Sequence, residues 1–125
     1  MNNLSVNSTK TTPQISFNAE SGVLEVSGQS YPESAVEFYQ PIMDWLNQFF
    51  SNSTKQVELN FKLNYFNTSS SKCILNILRL FEKAHAEGKP VKVNWYHHEA
   101  DEQMQETGEE FAEHLTMPFK VISFK

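Results

Sequence analysis

The chain has 125 residues, enough for one domain with a core of its own. A hydrophobic fraction of 39% with ten Phe excludes a disordered chain, and a net charge of −5 argues against nucleic acid or an anionic membrane as the main partner. The one cysteine, Cys73, leaves no internal disulfide and fits a reducing compartment.

Residues 1–12 are polar and are expected to form a flexible N-terminus, with the folded domain spanning 13–125. Met1 to Lys10 contain no apolar run, so neither a signal peptide nor a membrane anchor is expected, and the expected location is the cytoplasm. Ile15 and Phe17 predict a short strand and Val23 to Val26 a second, joined by a hairpin loop over Asn18 to Gly22. Tyr31-Pro32-Glu33-Ser34 opens a helix, with Pro32 near its first turn. Val36, Tyr39, Met43, Leu46 and Phe50 share one face of it, and Phe38, Ile42, Trp45 and Phe49 widen that face. Such a stripe is either buried or offered in part to a partner, and burial is the expectation. Pro41 should kink the helix or split it. Ser51 to Lys55 is a loop.

In the next segment Val57, Leu59, Phe61 and Leu63 alternate with Glu58, Asn60 and Lys62, the period of a strand with one buried face. Ile74, Ile77, Leu78, Phe81 and Ala84 then recur at helical spacing, and Gly88 and Pro90 end that helix. Between strand and helix stand four consecutive hydroxyl residues, Thr68 to Ser71. One hydroxyl suffices to cap a helix, a contribution of about 1 kcal/mol. Four on one strand-to-helix turn exceed that need, and free N–H groups there favour an anion. This turn is the candidate site. Val91 to Trp95 predicts another strand, Ala100, Met104, Gly108, Phe111 and Leu115 a third helix, and Phe119 to Phe124 a last strand. Gly108 is either a weak point or a close contact.

The predicted order, ββαβαβαβ, implies a single α/β domain with a mixed sheet: a hairpin first, then mainly parallel strands. In open sheets of this kind the site lies at the carboxyl ends of strands, where the Thr68 turn falls.

Signals of catalysis or metal binding are weak. There is no Gly-rich phosphate loop, nucleophile elbow or CxxC pair. Cys73 stands in the first turns of a helix, where a thiolate could be stabilised, though core packing is the plainer role. His97, His98 and a distant His114 are metal-ligand types, but adjacent His residues do not share a helical face. No cofactor or metal is expected. Glu99, Asp101, Glu102, Glu106, Glu109, Glu110 and Glu113 form a run without Lys or Arg, either a solvated face or one that steers a basic partner.

With a hydroxyl residue opening the helix after the third predicted strand, the architecture resembles the STAS domains of bacterial anti-sigma-factor antagonists. More narrowly, the chain resembles the SiaC family of bacterial regulatory phosphoproteins, which are small STAS-like adaptors. The matching segments are Ser30-Tyr31-Pro32-Glu33, Tyr65-Phe66-Asn67-Thr68-Ser69-Ser70, Gly88-Lys89-Pro90-Val91, Trp95-Tyr96, Glu109-Glu110-Phe111 and Pro118-Phe119.

The resemblance implies a non-enzymatic adaptor switched by phosphorylation. It marks Thr68 as the residue phosphorylated by a dedicated Ser/Thr kinase and dephosphorylated by a metal-dependent Ser/Thr phosphatase, with Ser69 as the runner-up acceptor. It implies that the unphosphorylated form binds and activates a diguanylate cyclase, raising cyclic-di-GMP and favouring aggregation and biofilm formation. Asn67, Thr68, Ser69 and Ser70 would then form the partner contact. Two alternatives stay open: an anti-sigma-factor antagonist that captures an anti-sigma kinase, and a small enzyme or metal protein using Cys73 or His97 and His98.

Overall fold

The computed structural model describes residues 1–125. Its elements are β1 (Leu4–Val6), β2 (Gln14–Phe17), β3 (Val23–Ser30), α1 (Ala35–Asn52), β4 (Val57–Phe66), α2 (Thr68–Ala86), β5 (Val91–His98), α3 (Glu102–His114) and β6 (Phe119–Phe124). The six strands lie side by side in sequence order. The first two pairings are antiparallel and the remaining three parallel. This is the expected single α/β domain, with one strand added at its start.

The three parallel crossovers each join neighbouring strands, and the right-handed sense general to such connections puts all three helices on one face of the sheet. The burial pattern agrees. Val57, Leu59, Phe61 and Leu63 of β4 and Val91, Val93 and Trp95 of β5 point into the core. The opposite face carries Glu25, Glu58, Lys62 and Lys92, paired as Lys62–Glu25 at 2.8 Å and Lys92–Glu58 at 3.1 Å. Between those pairs Asn94 donates to the Asn60 side chain at 2.8 Å. Parallel sheets are usually covered on both faces and read as unbroken apolar runs. Here one face is open, which is why the strands alternate.

The N-terminus departs from expectation. Leu4–Val6 is not frayed but forms an edge strand, with Leu4 opposite Phe17 and Val6 opposite Ile15. Two side-chain bonds hold it: Asn3 Oδ1 accepts from the Ala19 N–H at 2.8 Å, and Trp45 Nε1 donates to the Asn2 carbonyl at 2.9 Å. Further on, the Thr11 carbonyl accepts from the Tyr31 N–H at 2.8 Å. A three-residue strand has too short a pattern to stand out in sequence, and tertiary bonds supply what the pattern lacks.

Helix α1 begins after Ser34, whose hydroxyl accepts from the Glu37 N–H, three residues beyond Tyr31. It runs unbroken through Pro41. Pro41 and Glu37 are both exposed, so the missing bond and the carbonyl it would have served lie on the solvent side, where the loss costs least. Most of the wide apolar stripe is buried: Tyr39, Ile42, Leu46, Phe49 and Phe50 fully, Phe38, Met43 and Trp45 partly. Val36 is the exception, at 69% exposure. Helix α2 ends as expected, with Gly88 at φ +88° just past it.

Candidate functional site

The hydroxyl turn lies at the carboxyl end of β4, and an irregularity in that strand sets its geometry. Pairing between β3 and β4 steps from Gly28–Leu63 to Gln29–Tyr65, so Asn64 is an extra residue in β4. Gly28, at φ +103°, accommodates the step. Strict alternation would turn Tyr65 inward and Phe66 outward. The bulge reverses them. Phe66 packs edge-on against Trp95 at 5.9 Å, while Tyr65 is 51% exposed and braced by the edge of Tyr31 at 5.8 Å.

Asn67 caps α2. Its Oδ1 accepts from the Ser70 N–H at 2.9 Å and its carbonyl from the Ser71 N–H at 2.9 Å. Its own N–H donates to the Ser30 carbonyl at 3.1 Å, tying the turn to the end of β3. The amides of Thr68 and Ser69 have no acceptor within the helix. Thr68 and Ser69 are exposed, Asn67 and Ser71 are partly buried, and Lys72 stands exposed one turn beyond Thr68.

Ser70 does not join that surface. It is 0% exposed, and its hydroxyl lies 2.8 Å from that of Ser30, which in turn lies 2.7 Å from the hydroxyl of Tyr39. Of the four residues expected to meet a partner, Asn67, Thr68 and Ser69 lie at the surface and Ser70 faces the core. The physical reason is helical phase: Ser70 sits one turn before Ile74 on the buried face. Desolvation pushes the Tyr39 phenol up to about 12, so it stays neutral and able to bond within the cluster.

The other candidates have local explanations. Cys73 is buried, and that burial raises its thiol pKa, the opposite of what a thiolate nucleophile requires. His97 is buried with Nδ1 2.9 Å from the His98 carbonyl oxygen, His98 Nδ1 accepts from the Ala100 N–H at 3.0 Å, and His114 Nδ1 lies 2.9 Å from the Glu110 carbonyl oxygen. No three His, Cys, Asp or Glu side chains are grouped to hold a metal ion. In the acidic run, Asp101 caps α3 by accepting from the Met104 N–H at 3.0 Å, and the six Glu carboxylates lie on exposed residues. No helix is long and apolar enough to cross a membrane.

The chain is a single α/β domain, a six-stranded mixed sheet with three helices, and its hydroxyl-rich turn lies at the carboxyl end of a central strand, where open α/β sheets carry their sites. The profile of the SiaC family regulatory phosphoprotein matches residues 6–124, and the chain belongs to that family. It is 36% identical over 121 residues to an uncharacterised protein of Pseudomonas aeruginosa strain UCBPP-PA14, a match covering 97% of this chain and 96% of the other. It superposes on the structure of SiaC of Pseudomonas aeruginosa with a TM-score of 0.94 at 35% identity, covering 99% and 100% of the two chains. The crystal structure of the diguanylate cyclase SiaD in complex with its activator SiaC, also from Pseudomonas aeruginosa, gives a TM-score of 0.93 at 36% identity, with 97% and 99% covered.

Proposed function

We propose that this chain is a non-enzymatic cytoplasmic adaptor whose unphosphorylated form binds and activates a diguanylate cyclase, and so controls cyclic-di-GMP signalling and biofilm formation. Phosphorylation of Thr68 by a Ser/Thr protein kinase switches the adaptor off, and a metal-dependent Ser/Thr phosphatase switches it back on. The observation that carries this reading is the placement of Thr68. It is the first residue of α2 and exposed, three residues after the projecting Tyr65, in a fold that matches an activator solved together with its cyclase. That likeness favours a cyclase over an anti-sigma kinase as the partner.

The switch follows from charge and solvation. A phosphate adds about −1.5 to −2 charges and three strong acceptors. At the N-terminus of α2 the helix dipole and the spare amides of Thr68 and Ser69 tolerate that charge, so the fold survives phosphorylation. A partner that buries an uncharged Thr68 meets instead a dianion whose desolvation costs several kcal/mol unless a cation receives it. Binding is then lost without unfolding.

Purified chain titrated into the purified cyclase, with cyclic-di-GMP production followed, tests the reading. Stimulation by the unmodified chain, lost on kinase treatment and restored by phosphatase, is the expected result. No stimulation by the unmodified chain would refute the cyclase assignment.

A further inference from the structure

Three hydroxyls from three elements meet beneath the Thr68 turn: Tyr39 from α1, Ser30 from the end of β3 and Ser70 from the first turn of α2. Ser30 and Ser70 are 0% exposed and Tyr39 is 2% exposed. Ser30 Oγ is the centre of the cluster, 2.7 Å from Tyr39 Oη and 2.8 Å from Ser70 Oγ. The same residue holds the turn a second time, since its carbonyl accepts the Asn67 N–H at 3.1 Å. One residue thus grips both the cap and the first turn of α2.

We propose that Ser30, backed by Tyr39, is a positioning and specificity residue for modification of this turn: by pinning Ser70 inward it fixes the helical phase of residues 68–71, presents Thr68 and withholds Ser70. The proposal rests on the reading of Thr68 as phosphoacceptor. Successive helical residues are about 100° apart, so Thr68 and Ser70 point about 200° apart. Fixing Ser70 toward the core therefore turns Thr68 to solvent. Four hydroxyl side chains in a row present similar chemistry to a kinase, which moves the γ-phosphoryl group of ATP to the acceptor oxygen, with loss of the hydroxyl proton and release of ADP. Something must make them unequal. Burial does so for Ser70, and the Ser30 hydroxyl is the group that meets it there. Tyr39 supports from behind: its ring is packed in the core and its hydroxyl gives Ser30 Oγ a second fixed partner.

The test uses the full chain carrying Ser30→Ala, Ser70→Ala or Tyr39→Phe, each with two readouts. Backbone amide exchange across 67–71 reports the turn. Mass spectrometry of the chain purified from its native host reports phosphate occupancy at each of residues 68–71. In Ser30→Ala the amides of Ser70 and Ser71 are expected to exchange about tenfold faster while β4 and β5 core amides keep their rates, because the lost bond is local. Phosphate is expected to appear on Ser70 as well as Thr68, a redistribution that a uniform loss of stability would not produce. Ser70→Ala breaks the same bond from the other side and is expected to loosen the turn equally. Tyr39→Phe is expected to act in the same direction but less. Should Ser30→Ala fail to fold, the latter two carry the comparison. Unchanged exchange across 67–71, or phosphate confined to Thr68 in a folded Ser30→Ala chain, would overturn the proposal. If the wild-type chain carried no phosphate on Thr68, the acceptor reading would fail, and with it the specificity role. Exchange in the same variants would still show whether Ser30 positions the turn.

Discussion

Gly108 of α3 lies so close to Trp95 of β5 that a Cβ built on the glycine would sit 2.4 Å from Cδ1 of the indole. Trp95 cannot retreat. Phe61, Phe66, Phe111 and Phe119 surround it with centroid distances of 5.3, 5.9, 5.4 and 6.4 Å, and its Nε1 donates to the Met104 carbonyl at 3.1 Å. Two effects oppose each other in Gly108→Ala. Helix propensity favours Ala by about 1 kcal/mol, whereas overpacking a boxed aromatic costs about 1–3 kcal/mol. The contact is below any relaxed carbon–carbon distance, so overpacking wins. Urea denaturation should show a lower midpoint for Gly108→Ala; a higher one would mean that α3 slides freely over Trp95.

Tyr39 makes stability depend on alkaline pH. Its phenol is raised from 10.0 to about 12 by desolvation. Below pH 10 both folded and unfolded chains hold the proton, and its stabilisation is complete. Between 10 and 12 the unfolded chain ionises first, and stability falls, by about 3 kcal/mol in all for a two-unit shift. Above 12 the slope ends. Tyr39→Phe removes this dependence and leaves every other group unchanged between the two proteins. The stability advantage of wild type over the variant should therefore shrink across pH 10 to 12 in paired denaturant titrations. A constant difference would show that Tyr39 is not desolvated.

Glu82 produces the opposite dependence at acid pH. Its carboxylate accepts the Thr116 N–H at 2.9 Å and pairs with Arg79 at 3.0 Å, tying α2 to the segment between α3 and β6. The Thr116 amide is the main cause, and Arg79 the second, of a pKa below the ordinary 4.5. A lowered carboxylate stabilises fully above its unfolded pKa and loses that contribution as pH falls through the folded value. The difference between wild type and Glu82→Gln should be full at neutral pH and decline below 4.5, as read from denaturation midpoints. A difference independent of pH would place the tie elsewhere.

Much of this was legible in the residues. Alternation from Val57 to Leu63 announced a strand with one polar face, and the open sheet face follows from it. Ser70 could have been assigned inward, because the spacing Ser70, Ile74, Ile77, Leu78 carries the apolar face of α2 back one turn. The eye stops at the hydroxyl. The bulge at Asn64 was less accessible, since reversing Tyr65 and Phe66 depends on register with β3, a neighbour distant in sequence. Ser30 was hidden for the same reason: nothing near it in the chain says that Tyr39 and Ser70 converge on its hydroxyl. Leu4–Val6 owes its strand to bonds from Ala19 and Trp45, not to its own pattern.

Tyr65 follows from that bulge as a contact residue. The ring is half exposed, with one aromatic partner in Tyr31 at 5.8 Å, so Tyr65→Ala should cost no more than about 1 kcal/mol of stability. An exposed aromatic three residues before the proposed phosphoacceptor is the kind of anchor that dominates interfaces, and its loss should weaken cyclase binding about tenfold or more. Surface plasmon resonance with circular dichroism in parallel separates the two effects. Unchanged affinity in the folded variant would remove Tyr65 from the interface.

In the proposed switch it is charge at Thr68, not loss of fold, that ends binding. The direct measurement is calorimetric titration of the cyclase with wild type, Thr68→Ala and Thr68→Asp, with circular dichroism confirming that all three fold. Thr68→Ala should bind like wild type, and Thr68→Asp should remain folded and fail to bind. Equal affinity for all three would place Thr68 outside the interface and rule out a charge-gated switch.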